Sequence, residues 1–529
     1  MKTTLKTSWQ EKLHELLNCD LKALYPIARS LKRKLYFYVG PTNSGKTYAA
    51  MSELQKADCG LYLAPLRLLA LEGHEHLKQH NIASSLITGE EQIINEDAAH
   101  ICSTIEMIDF NMDVDVAVID EVQMLDDIDR GWAWVNAIIG TPAQKIIMTG
   151  SVNALDAVKK IAHYLDEELE VVRFKRKNPL IVMDKPTSLK QLEKGTALIA
   201  FSRKNVLMFK QRLQKYHKVS VIYGNLSPEV RREEAKRFRE GQSDILIATD
   251  AIAMGLNLPI KTIIFTTCEK FDGVERRVIT PNELIQISGR AGRYGHHEKG
   301  FIGAMTQKSL SQVQELFQTP VKTIKPPFKV KASSEQIQAI ASHLQTQSLT
   351  KVLKFFKDNM SFSGPFVASN IGSMIEASKI VDAKFNLKLN DKYMLAQAPI
   401  SIKSNIIKQA YEAYIAAVLK NKIVRYKPSI TLKKVAQTQK DLLLVEDEVK
   451  KISLYLWLSY KLPELFCDGI KASMMRDSLN QFIEKSLKQG ITLQDESRPF
   501  SHTKKRVFKE NEPKNNKKTS FKKRRSNHK

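Results

Sequence analysis

The chain has 529 residues, 43% apolar and 26% charged, an ordinary globular composition long enough for two to four domains. Lysine and arginine outnumber aspartate and glutamate by 82 to 57, and the net charge of +25 favours a polyanionic partner, nucleic acid before membrane. No apolar run has bilayer length, five dispersed cysteines show no zinc spacing, and Glu11, Glu15 and Asp20 argue against an organellar presequence, so a cytoplasmic protein with no membrane partner is expected.

Residues 1–34 read as a short helical segment. From about residue 35 to 305, short apolar runs alternate with helical patterns: LYFYVG, GLYLAP, VAVID, KIIMTG, then TALIAFS, VSVIYG, DILIATD, KTIIFTT and GFIGAM. Such alternation predicts an α/β fold of parallel sheets covered by helices on both faces. Nine strands are too many for one comfortable domain. The charged, proline-bearing stretch RFKRKNPLIVMDKP (173–186) divides them into two expected lobes, 35–176 and 177–325.

The first strand runs into GPTNSGKT, which fits G-x-x-x-x-G-K-[ST]. Gly40, Pro41, Thr42, Asn43, Ser44 and Gly45 would present backbone amides to phosphates at a helix N-terminus. Lys46 would neutralise the β and γ phosphates of ATP, and the Thr47 hydroxyl would coordinate Mg²⁺.

In VAVIDEVQ a strand-length apolar run stops at two carboxylates, Asp120 and Glu121. A charge ending a buried strand is costly unless a metal, ligand or partner meets it. With a phosphate loop upstream, Asp120 is the expected second Mg²⁺ ligand and Glu121 the residue that orients and activates the attacking water. Trp132 and Trp134 lie two apart on an expected helix, cannot share one face, and read as core.

In the second lobe, Asp272-Gly273 marks a hairpin turn. It is followed by NELIQISGRAGRYG, where helical spacing would place Gln286, Arg290 and Arg293 on one face. A guanidinium fork suits a γ phosphate in its transition state. The glycines of GRAGR leave room for close approach to the other lobe. ATP would then be completed only when the lobes close.

After TIKPPFKV the pattern becomes helical. Ser333 to Gln336 has the form of a capping box, followed by Ile337, Ile340, Ala341 and Leu344, then by Leu349, Val352, Leu353 and Phe356. An all-α domain is expected over 326–495 and a disordered basic tail over 496–529; residues 501–529 carry a net +10, suited to a polyphosphate-binding arm.

The motifs GPTNSGKT, APLRLLA, TGEE, DEVQ, TGS, AFSR, ATDAIAMGLNL and QISGRAGR, in that order, resemble DExH-type superfamily 2 helicases. The closer resemblance, from about residue 25 to 490, is to the ATP-dependent RNA helicase family of the mitochondrial degradosome and its bacterial relatives, through STIEM, DEVQM with RGWAW, VIYGNLSPEVRREEAKRF, AQAPI and LYLWLSY. The resemblance implies tandem RecA-like lobes and an RNA helicase working 3′ to 5′. It implies nucleotide contacts at Asp250 and Gly255, ATP contacts and fingers at Gln286, Arg290 and Arg293, and coupling of ATP to RNA through Gln123, Thr149 and Ser151. Strand grips would fall at Pro65, Arg67, Thr88, Thr104, Ser202 and Thr249, on phosphate and sugar, with little base specificity. A strand-separating role for the hairpin at Asp272-Gly273 and a 3′ to 5′ exoribonuclease partner are also implied. About 34 residues precede the first strand, too few for the N-terminal domain of longer members. A DNA or hybrid-duplex helicase and a non-catalytic RNA-annealing factor acting through its tail stay open as alternatives, the latter disfavoured by the complete set Lys46, Asp120, Glu121, Arg290 and Arg293.

Overall fold

A computed structural model describes residues 18–488 apart from 294, 296, 370, 385–386, 401–403 and 431–434. The basic tail lies outside the described residues.

Lobe 1 is an eight-stranded sheet in the order Gln92–Ile93, Ser84–Ile87, His100–Thr104, Gly60–Ala64, Val114–Ile119, Ala143–Gly150, Lys34–Val39, Leu169–Arg173. All neighbours are parallel except the edge pair Ser84–Ile87 with Gln92–Ile93. Lobe 2 has six parallel strands: Leu180–Val182, Gly300–Ala304, Thr262–Phe265, Thr196–Ile199, Ile245–Ala248, Val219–Ile222. The central strands Gly60–Ala64 and Thr196–Ile199 are buried at every position, as a parallel sheet covered on both faces requires.

All nine expected strands are present. Five more strands of these two sheets, Ser84–Ile87, Gln92–Ile93, His100–Thr104, Leu169–Arg173 and Leu180–Val182, lie toward the sheet edges or carry polar residues, so no apolar run announces them.

Parallel register fixes the site. Val39 pairs with Gly150, Ile119 with Met148 and Leu63 with Ile119, so the residues after these strands emerge side by side at the carboxyl edge of the sheet. In open α/β sheets ligands bind at that edge.

The capping box at Ser333 and Gln336 forms as expected. Ile337, Ile340, Leu349, Val352, Leu353 and Phe356 are buried, and they share one core with lobe 1. The later helices, Asn405–Leu419, Gln439–Lys461 and Gly469–Lys488, share a core with lobe 2 through Val206, Val221 and Tyr223. The helical region thus straps both lobes. Two short parallel strand pairs tie it further, Asn18–Cys19 with Ser361–Phe362 and Phe328–Val330 with Phe366–Ala368. Among the described residues no helix is long and apolar enough to cross a membrane.

Candidate active site between the lobes

The phosphate loop turns on two left-handed residues, Asn43 (φ 62°) and Gly45 (φ 89°), and opens the helix Lys46–Leu54 with no side-chain cap on its amides. A Cβ on Gly40 would stand 2.6 Å from the Phe174 carbonyl, so only glycine lets the loop leave its strand beside the chain leading to lobe 2. Ser44 Oγ is buried without a hydrogen-bond partner among the described residues. Uncapped amides, a buried lysine at Lys46 and an orphan hydroxyl around a cavity of about 540 Å³ fit an incoming polyphosphate.

Asp120 is held on every side. Thr47 Oγ1 donates to Oδ1 at 3.2 Å, Thr149 Oγ1 donates to the same oxygen, and the Tyr62 hydroxyl donates to Oδ2 at 3.0 Å. The Trp134 indole donates to its carbonyl at 2.9 Å, and Trp134 is fully buried, as core packing predicts. Burial and the neighbouring Glu121 carboxylate raise the Asp120 pKa, against the pull of Thr149, Lys46 and Tyr62. A hydroxyl beside a carboxylate is a hard oxygen donor set that fits a divalent cation such as Mg²⁺.

Glu121 sits in the left-handed region (φ 55°). Gln123 donates to its carboxylate and accepts from the Ser151 amide at 3.1 Å, so a single side chain spans the Glu121 carboxylate and the strand end at Gly150.

Lobe 2 faces this array. Arg290 and Arg293 line the same cavity as the phosphate loop, Asp120 and Glu121, and so does Gly255 (φ 77°). Arg290 Nε donates to the Ala253 carbonyl at 2.9 Å, and its charge is offset by Glu121, Glu72 and Asp120. Asn43 Nδ2 reaches the Gly289 carbonyl at 2.7 Å, and a Cβ on Gly289 would stand 2.7 Å from Thr42 Cβ. The lobes touch at this glycine.

Three expectations need correction. Gln286, Arg290 and Arg293 do not share a helix face: the helix ends at Ser288, and Gly292 (φ 63°) turns the chain, so the arginines stand on a loop. Gln286 and Asp250 line a different cavity, with Ser202, Arg203 and Thr249, and Asp250 pairs with Lys270 at 2.8 Å. Neither lines the cavity of the phosphate loop. Thr88 is buried, its hydroxyl donating to the Glu91 carbonyl at 2.9 Å, which closes a turn and leaves it no open face.

The remaining strand-gripping candidates are anchored locally. Ser202 and Thr249 cap the segments that follow them, and the Pro65 carbonyl accepts from Arg130 at 2.6 Å. Thr104 is half-buried at the end of its strand. Arg67 is ion-paired with Glu90 and Glu91 at 3.0 Å and with Glu229 of lobe 2.

Sequence reasoning missed Tyr62, Glu72 and Arg176. A tyrosine inside a fully buried strand needs a hydroxyl partner, which is a legible signal for Tyr62. Glu72, in the helix Arg67–Gln79, lines the phosphate cavity.

Residues 22–174 match the DEXQ-box helicase domain of Suv3, 183–295 the helicase conserved C-terminal domain, and 442–489 the ATP-dependent RNA helicase SUV3 C-terminal domain. The chain is 35% identical to the Arabidopsis thaliana protein named DExH-box ATP-dependent RNA helicase DExH16, mitochondrial, over 88% of this chain and 82% of that one. It is 33% identical to the mitochondrial ATP-dependent RNA helicase SUV3 of Candida albicans, over 90% and 70%, and 32% identical to that of Oryza sativa, over 92% and 85%. These relatives are all named as mitochondrial, which overturns the cytoplasmic expectation. That expectation rested on acids near the N-terminus. With the phosphate loop, the Asp-Glu pair and Gln123 in one site, the chain belongs to the Suv3 family of ATP-dependent RNA helicases.

Proposed function

We propose that this helicase moves 3′ to 5′ along single-stranded RNA, opening duplexes ahead of it to feed RNA degradation or processing. The observation that carries the reading is the shared cavity: Asp120 and Glu121 on one wall, Arg290 and Arg293 on the other, the phosphate loop between. The γ phosphate of ATP entering there neutralises the arginines and draws lobe 2 onto lobe 1; its loss lets them part. Mg²⁺ held by Thr47 and Asp120 would screen the β and γ oxygens. Glu121 orients the attacking water and takes its proton, and Lys46 holds the phosphates in line.

The coupling path runs from Glu121 through Gln123 to Ser151, at the edge where strand contacts would lie. Lobe motion is thereby linked to the grip on RNA. The hairpin Glu269–Phe271 with Arg276–Val278, its turn at Asp272-Gly273, serves as the separating pin, with Phe271 and Val274 exposed at its tip. A 3′ to 5′ exoribonuclease is the partner suited to the released strand.

ATP hydrolysis with and without single-stranded RNA or DNA, in wild type, Lys46→Ala and Glu121→Gln, tests this reading. Strong stimulation by RNA, abolished by both substitutions, is expected. Equal stimulation by DNA would replace the RNA preference with a general one, and tail-dependent annealing without turnover would sink the motor.

A further inference from the structure

The link between the lobes holds a side chain whose bonds all go to backbone carbonyls. Arg176 Nε donates to Asn178 O at 2.7 Å, Nη1 donates to Thr42 O at 3.0 Å and to Gly289 O at 2.7 Å, and Nη2 donates to Ala291 O. One guanidinium therefore joins three segments: the link itself, the phosphate loop and the loop that carries Arg290 and Arg293. Its neighbour repeats the grip. Asn178 Nδ2 donates to Gly292 O at 3.2 Å and to His297 O at 2.6 Å.

We propose that Arg176 is a positioning residue: it pins the finger loop to the phosphate loop through the link, so that Arg290 and Arg293 reach the γ phosphate in a fixed orientation. The loop needs such a pin. It leaves its helix after Ser288, turns at Gly292 and, among the described residues, has no regular backbone ladder of its own apart from one bridge, Ile260 with Ala291. The Arg293 guanidinium makes no hydrogen bond among the described residues, and its carbonyl accepts from the His297 amide at 3.1 Å, so the side chain's placement depends on the backbone that carries it. Three carbonyls of the turn, those of Gly289, Ala291 and Gly292, are instead held by residues 176 and 178.

The choice of arginine is informative. A planar fork with five donors satisfies four acceptors at fixed angles, which an ammonium on a flexible stem does not. Burial alone pushes the Arg176 pKa down to about 10, with no carboxylate offsetting it. A half-buried cation that faces only carbonyl dipoles beside a phosphate loop gains counter-charge when polyphosphate arrives.

The proposal rests on the ATPase reading, and its test uses the full chain with saturating single-stranded RNA. Arg176→Ala is expected to lower kcat about 100-fold, the scale of a misplacement near 1 Å, while KM for ATP stays within about threefold. Arg176→Lys, which keeps the charge but not the fork, is expected to remain impaired by about tenfold or more. In an Arg290→Ala background, Arg176→Ala should add little further loss, because the finger it positions is gone. Independent, multiplying losses in the double variant, KM rising in step with the fall in kcat, or a normal rate for Arg176→Lys would overturn the role. Should Arg176→Ala fail to fold, Arg176→Lys with a native melting curve decides alone, a low rate supporting and a normal rate refuting. An inactive wild type would overturn the ATPase reading and this role with it; an active wild type beside an equally active Arg176→Lys overturns the role alone.

Discussion

Arg67 of lobe 1 is ion-paired with Glu229 of lobe 2, and this bond crosses the seam between the lobes. Glu90 and Glu91 hold the same guanidinium from its own lobe, while Arg476 and Asn480 of the last described helix approach Glu229 from the helical region at 3.9 and 3.4 Å. All three parts of the molecule meet on one cluster. The family resemblance gives Arg67 to the RNA backbone, yet its fork is already taken by three carboxylates. Arg67→Gln is therefore expected to lower thermal stability, by about 3 kcal/mol for breaking a nearly buried pair, while leaving the salt dependence of RNA binding unchanged. A grip on phosphate predicts the opposite, a slope of log affinity against log salt smaller by about one. Titrations of a labelled single strand at several salt concentrations distinguish them.

The hairpin of lobe 2 is anchored, not merely attached. Lys270 pairs with Asp250 at 2.8 Å and Glu283 at 2.7 Å, and Arg277 grips Glu283 at 2.8 and 3.0 Å. Glu283 also caps the helix that leads to the arginine loop. Burial works against the Glu283 carboxylate, but the bonds from Arg277 and Lys270 hold its pKa down at about 2. A rigid tip tied to the finger loop suits a pin. Replacing Phe271 and Val274 by glycine should slow duplex unwinding by about tenfold, one base-pair step of about 1.4 kcal/mol, with RNA-stimulated hydrolysis preserved. Equal loss of both activities would make the hairpin a structural element only.

Glu72 gives stability a pH dependence opposite in sign to that of a salt-bridged acid. Burial raises its pKa to about 7 despite the pull of Arg239, Arg293 and Arg290, and Glu75 pushes the same way as burial. A raised carboxyl favours the folded state when neutral. Its contribution is complete below the unfolded value near 4.5 and is lost as pH rises through about 7. Glu72→Gln should accordingly melt higher than wild type at pH 8, by up to about 3 kcal/mol, and no higher at pH 4.5. Thermal melts at the two values check it.

How much of this was readable differs by the range of the interactions. The phosphate loop and the Asp-Glu pair are written in contiguous residues, because a strand, a turn and a helix N-terminus must follow one another to make them. The apolar runs of the central strands are equally local. Strands such as Ser84–Ile87 and His100–Thr104 are not, since their polar residues are buried only by neighbours far along the chain. The helical face drawn through Gln286, Arg290 and Arg293 failed at Gly289, which packs against Thr42 of the opposite lobe, and at Gly292, which packs against the strand end at Gly300, contacts far along the chain in both cases. Arg176 was unreadable for the same reason: its acceptors are carbonyls, and every residue type carries one.

Gly289 offers the most direct test of lobe closure. An added Cβ would meet Thr42 Cβ at 2.7 Å, Thr42 Oγ1 at 3.0 Å and the Ile285 carbonyl at 2.9 Å. The backbone carbonyl has nowhere to go, and Thr42 can retreat only by moving the phosphate loop. The residue has ordinary right-handed backbone angles, so alanine strains contact and not conformation. Gly289→Ala is thus expected to hold the lobes apart by a fraction of an ångström to one ångström, enough to cost about 100-fold in kcat. Nucleotide binding, which on the proposed reading rests largely on Gly40 to Thr47 of lobe 1, should stay close to that of wild type. Binding of a fluorescent ATP analogue alongside steady-state hydrolysis separates the two effects. A variant that hydrolyses normally would mean that the arginines approach the phosphates without this contact, and that the seam closes elsewhere.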